Sequence, residues 1–128
     1  MAIKHYRDLL VWQKSMILVK SIYDISSAFP QDERYGLTSQ MRRSAVSVPS
    51  NIAEGHNRDS LKEYLRFLSI AQGSLAELET QIALATMLKY IDITTEDKLL
   101  TQADEIGKMI RGLQHKLNER LLSLVPSP

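Results

Sequence analysis

The side chains best able to ligate a metal or move a proton near neutral pH are His5, His56 and His115, and they lie far apart. None stands in HExxH spacing, and no Glu-x-x-His pair supplies the inward donors of a di-metal site in a helical bundle. Cysteine is absent, which removes disulfides, thiolate zinc sites, iron–sulfur clusters and cysteine nucleophiles together. Phosphate loops of the GxxxxGK[ST] and GxGxxG kinds and a GxSxG elbow are missing as well. The expectation is a protein that is not an enzyme, with no catalytic residues, no metal and no cofactor.

More informative is a polar spacing. Gln40, Arg43, Ser47, Ser50 and Glu54 recur at 3-4-3-4 intervals, which on a helix makes a polar ribbon opposite an apolar stripe. Two uses are open: a solvated face whose serines bond carbonyls freed by Pro49, or the lining of a channel or pocket. Arg42 and Arg43 differ by about 100° around a helix, so at most one lies along the ribbon. Further on, Gly73, Ser74, Glu77 and Thr80 interrupt a bulky stretch. Glycine at mid-helix costs about 1 kcal/mol relative to alanine, and a tight helix–helix contact is the expected compensation.

Helices must carry these residues. Leu9, Trp12, Met16, Val19 and Tyr23 step at 3-4-3-4 and predict a first helix over roughly 7–28 with that row as its seam. Pro30 and Gly36 break the pattern and mark a connector. Leu37, Met41, Ala45, Val48 and Ile52 predict a second helix from Leu37 to about Gly55, capped by Thr38 or Ser39 and stopped by Gly55. Pro49 inside it predicts a kink or a division into two short helices. Ser60 and Glu63 form a capping box for a third helix, whose row from Leu61 and Tyr64 through Leu68, Ala71, Leu75, Leu78, Ile82 and Ala85 ends near Lys89 or Tyr90. Thr94 with Asp97 signals the start of a fourth, with Ala103, Ile106, Ile110, Leu113, Leu117, Leu121 and Leu124 on one face. The fold class is therefore all-α, an antiparallel up-and-down four-helix bundle forming a single domain over 1–128, with an ordered core at about 5–122 and a tail carrying Pro126 and Pro128.

Second apolar rows widen two of these helices: Val11, Leu18, Ile22 and Ile25 on the first, Phe67, Ile70, Leu84, Leu88 and Ile91 near the third. Either central helices bury more than a third of their girth, or an exposed apolar band closes a homo-oligomer.

The 44% hydrophobic and 24% charged residues are those of a globular chain, and no run of 18 apolar residues or secretory leader is present. A cytoplasmic protein without membrane contact is expected. Sixteen Lys and Arg against fifteen Asp and Glu give a net charge of +1, weak for a dedicated nucleic-acid binder. The distribution is uneven, with basic terminal segments and an acidic stretch between them. Lys4, Arg7, Lys14 and Lys20 join Lys108, Arg111, Lys116 and Arg120 as either a phosphate-attracting patch or ordinary solvated helix faces.

As a set, several runs resemble a known family: Asp8-Leu9 with Val11-Trp12-Gln13, Phe29-Pro30, the run from Tyr35-Gly36-Leu37 to Arg42-Arg43-Ser44-Ala45, and Ser47-Val48-Pro49-Ser50-Asn51-Ile52-Ala53-Glu54-Gly55. With Gly73-Ser74-Leu75 and Glu77-Leu78-Glu79-Thr80, they are similar to the 23S ribosomal RNA intervening-sequence protein family, often labelled four-helix bundle protein, over roughly residues 5–120. That resemblance implies ring-like homopentamers, and a related branch comprises the accessory variability determinant proteins of diversity-generating retroelements, which work with a reverse transcriptase and nucleic acid. By this resemblance Arg42, Arg43, Lys62 and Arg66 become candidate nucleic-acid contacts. The functions it implies are a homo-oligomeric scaffold that binds RNA or DNA phosphates or, alternatively, one that binds a protein partner without touching nucleic acid.

Overall fold

The computed structural model describes residues 5–124, which leaves Lys4, Pro126 and Pro128 outside the described residues. Four helices, α1 (Leu10–Ser26), α2 (Leu37–His56), α3 (Leu61–Met87) and α4 (Ile93–Ser123), account for most of it. Contacts run from α1 to α2, α2 to α3, α3 to α4 and α4 back to α1. Sequential neighbours therefore lie side by side and antiparallel, the bundle that the four periodicities predict.

The register of α1 differs from expectation. Its buried row is Val11, Ser15, Leu18, Ile22 and Ser26, so the second apolar row faces the core. Of the expected heptad row, Leu9 is buried and Trp12 and Val19 pack half-buried against the core, while Met16 and Tyr23 turn outward, each 43% exposed. Two serines hide this register from an apolar scan. Each satisfies its hydroxyl on its own helix, Ser15 Oγ donating to Val11 O at 2.7 Å and Ser26 Oγ to Tyr23 O at 3.3 Å, so small polar residues fill core positions without an unpaired group. The helix also starts later than residue 7. Tyr6–Asp8 form a 3-10 turn, with Arg7 N–H donating to His5 Nδ1, and Leu9 is an extended, buried hinge residue before Leu10.

Helix α2 runs through Pro49 as one element, without division into two. Neither Thr38 nor Ser39 caps it. Its first amide, Leu37 N–H, donates to Glu33 Oε1 at 3.2 Å from the preceding 3-10 turn Gln31–Glu33, and Gly36 supplies the N-cap backbone. A Cβ at Gly36 would sit 2.7 Å from that same carboxylate oxygen, so glycine makes room for the remote cap. The other Glu33 oxygen accepts the Tyr90 hydroxyl at 2.8 Å, which ties the α1–α2 connector to the α3–α4 connector at one end of the bundle.

Gly55 lies inside α2 rather than ending it. Its missing Cβ would fall 2.9 Å from Phe67 Cβ and 3.0 Å from Tyr64 Cδ1, so this glycine is where α2 and α3 close together. Gly73 has the opposite surroundings, with nothing within 4 Å. The tight contact expected at Gly73 therefore belongs to Gly55.

Ser60 caps α3 as expected, accepting Glu63 N–H at 3.3 Å. That helix ends at Met87, slightly early, in a Schellman motif: Tyr90 N–H reaches Ala85 O at 2.9 Å and Lys89 N–H reaches Thr86 O at 3.0 Å. Lys89 takes the left-handed position, φ 64°, usually held by glycine. At α4 the cap is Asp92, two residues before the expected Thr94, accepting Thr95 N–H at 2.8 Å. Leu18, Ile22, Met41, Ile52, Leu68, Leu75, Leu78, Ile82, Ile106 and Ile110 are among the fully buried side chains at the centre.

Candidate nucleic-acid interface

The two α2 arginines diverge as their helical angle requires. Arg42 turns toward α1: its Nε donates to Ser26 Oγ at 2.9 Å, its Nη2 to Tyr23 O at 3.4 Å, and its guanidinium lies 4.6 Å from the Tyr23 ring centroid. The contact both pins α1 to α2 and leaves one flank of the guanidinium on a surface cleft. Arg43 is exposed and makes no ion pair among the described residues.

Both arginines line a cleft of about 490 Å³, together with Arg34 and Tyr35 from the connector and Tyr23, Thr38, Ser39 and Val46. Its wall holds three guanidiniums and no carboxylate. Arg34 and Tyr35 are not among the contacts expected from the sequence because they fall in the connector, outside any helical period. Their signal is position: a basic and an aromatic residue directly before a helix whose second turn carries two more arginines.

Lys62 and Arg66 do not join this cleft. They line a separate groove of about 410 Å³ with Leu65, Ser69, Gln114 and Asn118, between α3 and α4. Roughly 20 Å of α2 separates Arg43 from the helix end next to Lys62, at 1.5 Å per residue. Arg66 is also partly offset by Glu63, 3.4 Å away. The four candidate contacts thus divide into two pairs at opposite ends of α2.

The polar ribbon divides too. Ser47 Oγ meets Ser74 Oγ at 2.7 Å and Asn51 Nδ2 at 3.0 Å, so it joins α2 to α3. Ser44, one turn away, donates to Glu77 Oε1 at 2.9 Å. Gln40, Ser50 and Glu54 remain exposed. The expected stripe of basic residues on α1 and α4 is interleaved with acids: Lys14 pairs with Glu105, Lys20 with Asp24 at 2.8 Å and Lys108 with Asp104 at 3.1 Å. Paired surface charges attract phosphate far less than unpaired ones. Arg7, Arg111, Lys116 and Arg120 make no ion pair among the described residues but line neither of the two grooves above, whereas Arg34, Arg42 and Arg43 share one cleft.

The histidines are dispersed. His115 faces Glu119 at 2.8 Å, whereas His56 stands edge-on to Tyr64 with ring centroids 5.8 Å apart. His56 Nδ1 and the Tyr64 hydroxyl are buried without a partner, and burial pushes the Tyr64 phenol up to about 12. Among the described residues, no group of three His, Asp or Glu is placed to hold a metal ion, and no helix is long and apolar enough to cross a membrane.

Fold and site together define a small all-α bundle with a basic cleft, edged by tyrosines, at one end. The sequence model of the 23S rRNA-intervening sequence proteins matches residues 7–112, and the chain belongs to that family. It is similar in fold to the crystal structure of a protein of unknown function from the S23 ribosomal protein family of Bacteroides thetaiotaomicron. The TM-score is 0.77 at 22% identity, over 82% of this chain and 98% of that one. No curated protein matches the chain.

Proposed function

We propose that the chain is a non-enzymatic, self-associating cytoplasmic scaffold that holds RNA or DNA phosphates on the Arg34–Arg42–Arg43 cleft. The observation carrying this reading is the composition of the cleft wall, three guanidiniums with no carboxylate among them. Guanidiniums bind phosphate oxygens through a fixed fork of donors, and such contacts read charge rather than base sequence. Lys62 and Arg66 form a secondary contact in their own groove. The resemblance to the intervening-sequence family, to which the retroelement accessory proteins are a related branch, supports a nucleic-acid role.

Self-association, as a pentamer by that resemblance, is supported by the partly covered row on α1. Trp12, Met16 and Val19 line a groove of about 290 Å³ with Val46, Pro49 and Ala53 of α2. Ile70, Leu84 and Leu88 are exposed elsewhere on the molecule. A ring closes through two different surfaces of each subunit, and two apolar surfaces meet that requirement. Repetition of the cleft around a ring multiplies a weak phosphate contact into usable avidity.

Anisotropy with labelled RNA and DNA at about 50 and 200 mM salt tests the reading. Binding that weakens steeply with salt is expected, and Arg43→Ala or Arg34→Ala each lowers the logarithmic salt slope by about one phosphate contact. Absence of binding by an intact oligomer overturns it in favour of a scaffold for a protein partner, for which the apolar α1–α2 groove provides a surface.

A further inference from the structure

Phosphate binding leaves one feature of the cleft unused. Tyr35 is 87% exposed, directly before α2, where the bundle core needs no aromatic ring. Single exposed aromatics are common on protein surfaces; this one shares a concave site with three guanidiniums. The Arg34 guanidinium lies 5.5 Å from its ring centroid, and a second ring, Tyr23, lines the same cleft beneath Arg42. Thr38, over nine-tenths buried, also lines it. The positive end of α2 is already answered by Glu33, so the arginines rather than the helix terminus supply the anion site. At about 490 Å³ the cleft falls within the range of small-ligand sites, about 300–1,000 Å³.

An aromatic face beside unpaired guanidiniums is the combination that holds single strands, because any unpaired base can stack while its phosphates meet the charges. Bases within a duplex are already stacked and cannot reach the ring. We propose that the cleft takes an unpaired nucleotide of a single-stranded nucleic acid, with the base stacked on Tyr35 and the phosphates held by Arg34 and Arg43. This rests on the phosphate reading above and adds strand selectivity to it.

The test compares a short labelled strand with a blunt duplex of the same sequence, using the full chain and the variants Tyr35→Ala, Tyr35→Phe and Arg43→Ala. Circular dichroism and light scattering establish that each variant keeps its fold and assembly. The strand is expected to bind more tightly than the duplex. Tyr35→Ala should weaken strand binding roughly five- to a hundredfold and leave duplex binding unchanged, with Tyr35→Phe close to the parent. Arg43→Ala should weaken both. Equal affinity for strand and duplex, or a Tyr35→Ala variant that binds the strand as the parent does, overturns the stacking proposal and leaves the phosphate reading standing. Failure of the parent to bind either nucleic acid overturns both.

Discussion

Tyr64 carries the clearest single-residue signature of the α2–α3 contact. Its hydroxyl is buried without a partner, and burial holds its pKa near 12, above the ordinary value of 10.0. The folded state therefore favours the neutral phenol, so this contribution to stability is intact below pH 10 and is lost as pH rises from 10 toward 12. Tyr64→Phe is expected to flatten that alkaline loss and to stabilise at neutral pH by about 1 kcal/mol, because it removes an unsatisfied hydroxyl. Thermal melts at neutral and strongly alkaline pH check this, and a Phe variant that melts lower at neutral pH would show that the hydroxyl has a partner. At this scale the sequence was partly legible. The 100° offset between Arg42 and Arg43, about one helical step, separates an inward pin from an outward charge. What Arg42 grips was not visible, because Ser26 and Tyr23 belong to another helix.

Helix ends and close approaches make predictions of their own. Lys89 holds the left-handed position of the α3 Schellman motif, which costs a side-chain-bearing residue about 1 kcal/mol or more, so Lys89→Gly should raise stability by about that amount in denaturant melts. The two α2–α3 glycines separate two effects. Gly55→Ala places a Cβ against Phe67 and Tyr64 and should destabilise by about 1–3 kcal/mol, whereas Gly73→Ala enters open space and should stabilise by about 1 kcal/mol through helix propensity. Equal effects at the two sites would contradict this account of how α2 meets α3. Asp92 is held below the usual carboxylate value chiefly by the hydrogen bond from the Thr95 backbone, with further lowering from the Thr95 side chain. Its contribution is present above the ordinary value of 3.8 and lost as pH falls through the lowered one, so Asp92→Ala should depress the melting temperature at pH 7 but not in strong acid. Long apolar periods made α3 and α4 readable, while the α1 register and the caps of α2 and α4 escaped. Serines filled core positions in α1, Glu33 reached α2 from outside it, and two capping signals stood close together near residue 94.

Across the whole molecule, the bundle follows from four apolar periodicities, but its surfaces depend on which side of each helix the neighbours cover. The row that looks most like a coiled-coil seam, Trp12-Met16-Val19-Tyr23, is only partly covered within the monomer, and the self-association proposed above would give that pattern a use. Light scattering should return several multiples of 14.6 kDa, and Met16→Glu should reduce that mass while leaving helical content unchanged. A parent chain of single-subunit mass would remove the self-association reading. The cleft was less legible than the bundle, since its walls come from α1, the connector and α2, and only the folded chain brings Arg34, Tyr35 and Arg43 together.

Trp12 is the chain's one tryptophan; it stands half-buried on that row, edge-on to Tyr6 with ring centroids 5.3 Å apart. Under the self-association proposed above, its indole fluorescence becomes a built-in optical gauge of a neighbouring subunit, without a dye or tag. Emission should move to longer wavelength on dilution as water replaces the neighbour, while far-ultraviolet circular dichroism stays constant.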